Sequence, residues 1–344
     1  MSATAGRLTE SVTLSQAKAL IQAMAHEQSF LLLAPPGVGK SAIVAEAAAE
    51  AGLPCRSLLG TQIAPEDVSG IPRIVGERAV FCPPRVLLPE QPEPFCLFLD
   101  ELPSSASDVQ KALYSLLLER RLGEHRLPPG SWVVAAGNRV EDRALVRGLS
   151  SALVNRVIIL HVQVNAKEWL RWARSNRVRG DILSFISIMP DALMRPVPLE
   201  PLPFSTPRTW ASLSRALDLA EQAGLRDPFV RRALAFGRLS AEDAAVYCAM
   251  AEEQIDGLLP LEQYIEDPDL LPQADAACWL VLHHIRAMVR RGELAGTDPR
   301  TINRFLSNLA QEHRFAVLVD LVDQWGALGA DDALLGALQE VTGV

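Results

Sequence analysis

The apolar run Phe30-Leu31-Leu32-Leu33 passes directly into residues 34–41, which read A-P-P-G-V-G-K-S, and an Ala-rich stretch follows. Strand, glycine-containing turn and helix, in that order, are what a phosphate-binding loop requires. Gly37 and Gly39 let the backbone N–H groups of the turn, including those around Pro36 and Val38, point inward at phosphate oxygens. Lys40 is placed to reach β- and γ-phosphates, and the Ser41 hydroxyl to ligate Mg²⁺. Ala42 continues the first helical turn, whose dipole adds positive potential under the phosphates. Ala34 stands where the strict pattern has glycine. The chain is thereby constrained to an α/β fold built around a nucleoside triphosphate.

Composition narrows this further. With 344 residues, 49% of them hydrophobic, the chain can bury one large α/β domain and a smaller one. No apolar run reaches the length of a bilayer span, and the first twenty residues hold no apolar signal core. The five cysteines, Cys55, Cys82, Cys96, Cys248 and Cys278, form no C-x-x-C pair and read as core thiols of a cytoplasmic protein. A net charge of −8 argues against a dedicated nucleic-acid coat.

Met1 to Thr13 reads as a tail. Leu14 to Met24 has helical spacing with Thr13 or Ser15 as N-cap. Five short apolar segments follow: Phe30–Ala34, Arg56–Leu59, Phe95–Leu99, Trp132–Ala136 and Val157–Val162. Continuous apolar runs separated by helical stretches predict strands buried on both faces of a parallel sheet. Residues 61–94 break the rhythm and predict an insertion made of a short helix and a hairpin turning near Gly76-Glu77. Leu118 to Pro129 predicts a second hairpin, with charges at Arg120, Arg121, Glu124, His125 and Arg126. Beyond Val162 the pattern is helical, at 166–174, 179–189, 209–223, 228–237, 241–254, 273–291, 299–312 and 316–328. A Pro-rich connector occupies 196–207.

Cys96-Leu97-Phe98-Leu99-Asp100-Glu101 is an apolar strand ending in two acids. Beside a phosphate loop, Asp100 would hold Mg²⁺ through water and Glu101 would polarise the attacking water. Trp132 to Asn138 is a second strand, ending in an amide that could orient that water or touch the γ-phosphate.

The series of phosphate loop, insertion, L-F-L-D-E, A-A-G-N and L-V-N-R-V resembles AAA+ ATPases of the MoxR-like group. Residues 136–157 are similar to that group's stretch from sensor 1 to the arginine finger. Asp67 to Pro72 resembles the start of its insertion, and F-S-T-P-R-T-W (204–210) resembles its sensor 2 motif. The resemblance implies a P-loop AAA+ core with a parallel five-stranded sheet over 1–163, a helical lid over 164–255 and a helical extension over 256–344. It makes Lys40, Ser41, Asp100 and Glu101 the Walker residues, Asn138 sensor 1, Arg156 the finger that enters a neighbour's site and Arg208 sensor 2. Arg143 and Arg147 are rivals for the finger, and Asn155 stands where many relatives carry Asp.

The same resemblance implies ATP with Mg²⁺ as cofactors and assembly into a ring, in that family a hexamer. The implied client is a protein, often one with a von Willebrand A-like domain. A nucleic-acid motor on the same fold and a slowly hydrolysing, nucleotide-switched scaffold are the other readings open to the sequence.

Overall fold

The computed structural model describes residues 10–82, 84–85, 87–88, 93–122, 125–139, 151–252, 259, 261–273, 275–290, 297–310, 313–314 and 317. Arg143, Arg147, Glu124 and nearly all of the helix expected over 316–328 lie outside them. The chain divides into two compact units: residues 1–169 with 196–208, and residues 170–195 with 209–344.

In the first unit, β1 (Ser11–Val12) leads into helix α1 (Leu14–Met24). Thr13 caps α1: its hydroxyl accepts from the Gln16 N–H while the Gln16 side chain accepts from the Thr13 N–H, a reciprocal capping box. Strand β2 (Phe30–Leu33) enters the glycine turn and helix α2 (Lys40–Glu50), and β3 (Cys55–Leu59) follows. The insertion holds α3 (Pro65–Ser69) and the antiparallel hairpin of β4 (Ile71–Val75) and β5 (Arg78–Cys82). After β6 (Cys96–Asp100) come α4 (Ser107–Ala112), α5 (Tyr114–Glu119) and a small hairpin of β7 (Arg121–Leu122) and β8 (His125–Arg126). Strand β9 (Trp132–Gly137), α6 (Ser151–Val154) and β10 (Ile158–Val162) complete the sheet.

The sheet is parallel, in the order β1-β10-β2-β9-β6-β3. Its central strands are apolar throughout: every residue of β9 is buried, as are Phe30, Leu31 and Leu32 of β2 and Cys96 to Leu99 of β6. One face packs Leu31, Leu97, Leu99, Val133 and Ala135 against Leu102, Val109, Leu113, Leu116 and Leu117. Five of the strands match the expected segments to within about a residue. The sheet has six, however, which corrects the five-stranded expectation. The added strand, β1, registers Ser11 and Val12 against His161 and Val162. Two residues are too few to show a hydrophobic period, so the sequence reads them as tail.

The second unit is helical where described. It runs through α7 (Ala166–Ser175), α8 (Gly180–Ile188), α9 (Pro207–Gln222), α10 (Pro228–Phe236), α11 (Ala241–Glu252), α12 (Leu261–Glu266), α13 (Asp275–Arg290) and α14 (Pro299–Asn308), the first residues of α7 and α9 belonging to the first unit. Phe185, Trp210 and Tyr247 form its aromatic centre, with ring centroids 5.1–5.7 Å apart. The buried Trp210 Nε1 donates to the Ala192 carbonyl at 2.8 Å. Asp243 has no exposed surface; Arg195 Nε donates to both its oxygens, at 3.1 and 3.0 Å, and Ser240 Oγ donates at 2.7 Å. A buried carboxylate requires this degree of pairing. Among the described residues no helix is long and apolar enough to cross a membrane.

Candidate nucleotide site

Parallel strands bring their carboxyl ends to one edge of a sheet, and loops leaving that edge form the crevice where ligands bind in open α/β folds. Here β2 ends at Leu33, registered on Gly137 of β9, and Leu59 of β3 registers on Asp100 of β6. The phosphate loop, the acid pair and Asn138 therefore leave the sheet at the same edge.

The loop takes the shape its glycines permit. Gly37 and Gly39 have φ of +81° and +109°, which residues with a Cβ rarely adopt. Gly37 is also fixed by contact: a Cβ there would fall 2.6 Å from Thr206 Oγ1. Gly39 is the N-cap of α2, so Lys40, Ser41 and Ala42 are its first residues and their backbone N–H groups face the loop. Val38 is buried and Pro36 half-buried at the turn.

Lys40 is buried, and its ammonium donates to the carbonyl oxygens of Ala34 (2.9 Å) and Pro35 (3.0 Å) and to Asn138 Oδ1 (3.1 Å). These three contacts fix the ammonium at the mouth of the loop, and a lysine ammonium is a donor suited to anionic oxygen. Ser41 Oγ donates to Asp100 Oδ2 at 3.0 Å. This pairs a hydroxyl and a carboxylate, both hard oxygen donors, and such a donor set fits Mg²⁺.

Glu101 is the residue beside that pair, and its backbone is strained. Its φ and ψ are 54° and 31°, a left-handed conformation that costs a non-glycine residue about 1–3 kcal/mol. The turn is held by the Glu101 N–H donating to Asp100 Oδ1 at 3.0 Å. Thr61 Oγ1 donates to Glu101 Oε2 at 3.3 Å and so fixes the carboxylate's direction. Thr61 follows β3, where the Gly60 N–H donates to the Asp100 carbonyl at 2.7 Å. Gly137 allows the next layer of contact: a Cβ there would lie 2.3 Å from Pro103 Cδ in the turn after Glu101.

Residues 29–157, which span the loop, the acid pair and Asn138, match the family of AAA domains of the dynein-related subfamily. They are an AAA+ domain. The fold is that of a P-loop AAA+ protein, which binds nucleotide, and AAA+ domains in general hydrolyse it. Solved structures that are similar include a mutant of Thermotoga maritima RuvB, at 18% identity over 77% of this chain and 79% of that chain, with a TM-score of 0.40. NtrX from Brucella abortus in complex with ADP is similar at 15% identity over 98% of this chain and 70% of that chain, also with a TM-score of 0.40. No curated protein matches the chain.

Two of the expected site residues, Arg156 and Arg208, stand apart from the cluster around Lys40. Arg156 precedes β10, whose first residue Ile158 registers on Phe30, the first residue of β2. It therefore lies at the amino edge of the sheet, at least the length of β2 from its own phosphate loop, or about 10 Å at roughly 3.3 Å per residue. There its guanidinium carbon sits over the Tyr114 ring, 5.2 Å from the centroid. Arg208 meets the loop through its backbone: its N–H donates to the Gly37 carbonyl at 3.0 Å, and its side chain is exposed.

Sequence reasoning does not assign three of the contacts. Thr61 and Thr206 lie in loops whose partners are distant in sequence, although Thr206 falls within the 204–210 motif. His125 Nε2 lies 2.9 Å from the Phe81 carbonyl oxygen and ties the second hairpin to the first. That first hairpin is exposed at every position of both strands, with Ile71 at 72% and Ile74 at 78% exposure.

Proposed function

We propose that this chain is a Mg²⁺-dependent ATPase of the MoxR-like group that works in a ring, in that group a hexamer, and remodels a protein client. The observation that carries the reading is the convergence of Lys40, Ser41–Asp100, Glu101 and Asn138 at one sheet edge while Arg156 stands at the other.

In this reading the backbone N–H groups of Gly37 to Ala42 hold the phosphates, Pro36 shapes the turn that presents them, and Lys40 neutralises their charge. Ser41 and Asp100 hold Mg²⁺, which supplies charge neutralisation at the phosphoryl oxygens when bound. Glu101 accepts a proton from the attacking water, and Thr61 keeps the carboxylate aimed until the substrate water replaces that contact. Asn138 orients the γ-phosphate side of the site. Arg156 acts on a neighbouring subunit's site, because its own loop is out of reach, and head-to-tail contacts of that kind close into rings. Arg208 reports nucleotide to the helical region that follows. Residues 164–255 serve as the lid and 256–344 as the extension. The exposed hairpin of β4 and β5 offers the client an apolar, projecting surface.

The test is a capture experiment with Glu101→Gln protein loaded with ATP and Mg²⁺. This variant keeps the binding residues and loses the base, so it should assemble and hold its client. A protein enriched over a Lys40→Ala control supports the reading. Nuclease-sensitive nucleic acid in its place, or ATP turnover equal to wild type in the Glu101→Gln protein, would refute it.

A further inference from the structure

Cys55 and Cys96 are scattered in the sequence but meet in the sheet. They are the first residues of β3 and β6, and they are direct register partners. Registered Cα atoms on adjacent strands lie about 4.8 Å apart, inside the roughly 4.4–6.8 Å window that a disulfide spans. Register partners project to the same face, so the two thiols point the same way. Their accessibility differs: Cys55 is exposed, and Cys96 has no exposed surface. That asymmetry corrects the expectation that the cysteines are all core thiols, since Cys82 is exposed as well.

We infer that Cys55 and Cys96 form a reversible thiol–disulfide site that reacts with small-molecule disulfides of the glutathione class. Cys55 is the thiol such a molecule can reach, and Cys96 is the resolving thiol poised behind it. The neighbouring Cys96 thiol lowers the Cys55 pKa to about 7, while Cys55 and burial raise that of Cys96. The lowered pKa favours the thiolate at Cys55, which is the attacking form. The Cys55 thiolate attacks one sulfur of the small disulfide, forming a mixed disulfide and releasing one small thiolate. Cys96 then gives up its proton and attacks the Cys55 sulfur, forming the Cys55–Cys96 bond and releasing the second small thiolate. Two protein thiols are oxidised, one disulfide is reduced to two thiols, and the two protons pass to the departing thiolates. The bond fastens together the amino ends of the two strands whose carboxyl ends lead to Thr61 and carry Asp100.

The experiment treats the folded full chain with oxidised glutathione at neutral pH and reads intact mass and proteolytic peptides. The expected product has lost two hydrogen atoms, contains a peptide linking Cys55 to Cys96, and returns to the starting mass with dithiothreitol. In Cys96→Ala the reaction should stop at one glutathione on Cys55, and in Cys55→Ser neither product should form at these positions. A stable glutathione adduct on Cys55 in the wild-type chain, a link from Cys55 to Cys82, or modification of Cys82 with Cys55 untouched would overturn the inference.

Discussion

Lys40 donates a hydrogen bond to Asn138 Oδ1 at 3.1 Å, which joins the first residue of α2 to the residue just past the end of β9. The contact turns two separate loops into one site, because the same ammonium also holds the carbonyls of Ala34 and Pro35. Asn138 thus sets where the lysine charge sits, while in the proposed function the phosphate grip falls to backbone N–H groups.

From this division of labour, Asn138→Ala should damage turnover far more than binding. Phosphate release should fall roughly 10–100-fold, as when one oriented polar group leaves an electrostatic site, while nucleotide affinity changes by less than about threefold. Fluorescent-nucleotide titration beside steady-state phosphate release checks this. Equal losses in both would mean that Asn138 serves binding.

Gly37 carries two constraints, a left-handed φ and the contact with Thr206. Gly37→Ala should therefore destabilise the fold by about 1–3 kcal/mol and abolish nucleotide binding. Adding Thr206→Ala removes the two outer atoms of the clash, Oγ1 and the methyl, but leaves the φ penalty, so it should recover only part of the stability. Denaturant unfolding of the two single variants and the double variant separates the terms. Full recovery would show that φ contributes nothing.

The hairpin of β4 and β5 exposes Ile71, Ile74, Val75 and Phe81. Ile74→Glu should leave basal ATP turnover within about twofold of wild type, since an exposed substitution of this kind usually shifts stability by no more than about 0.5 kcal/mol. Client recovery in the Glu101→Gln background should fall sharply. Unchanged client recovery would move the contact surface elsewhere.

The neighbouring Cys96 thiol makes Cys55 reactive at lower pH than an ordinary thiol. The sign follows from the thiolate being the nucleophile: its population rises with pH through about 7 and then levels off. An unperturbed thiol continues to gain reactivity toward about 8.5. The iodoacetamide rate at Cys55 should therefore plateau early, and Cys96→Ala should move the curve back up. Residue-resolved alkylation across pH measures both curves, and coincidence of the two would deny the influence of Cys96 on Cys55.

The parts of this protein legible in its sequence are those encoded locally. Phe30 to Ser41 announces strand, loop and helix within a dozen residues, and L-F-L-D-E and A-A-G-N mark strand ends by an abrupt change from apolar to polar. Helix α1 is legible through its apolar spacing, with Thr13 or Ser15 as the expected cap; the structure uses Thr13. What escaped depends on register or on loops meeting across the fold. β1 has only two residues. The Thr61–Glu101 contact, the Thr206–Gly37 contact and the His125–Phe81 link each join segments far apart in sequence. The alignment of Cys55 on Cys96 follows from β3 and β6 being neighbours, an order that apolar runs do not specify.

Arg156 holds the most consequential position in the account, because it lies at the far edge of its own sheet and over Tyr114. The direct measurement is ATP turnover in a mixture of Glu101→Gln and Arg156→Ala proteins, each of which should be nearly inactive alone. A ring containing both places an intact Glu101 opposite an intact Arg156 at some interfaces, so the mixture should regain turnover well above the sum of its parts. A mixture as inactive as its components, or an Arg156→Ala protein that turns over like wild type on its own, would contradict an arginine supplied by the neighbouring subunit.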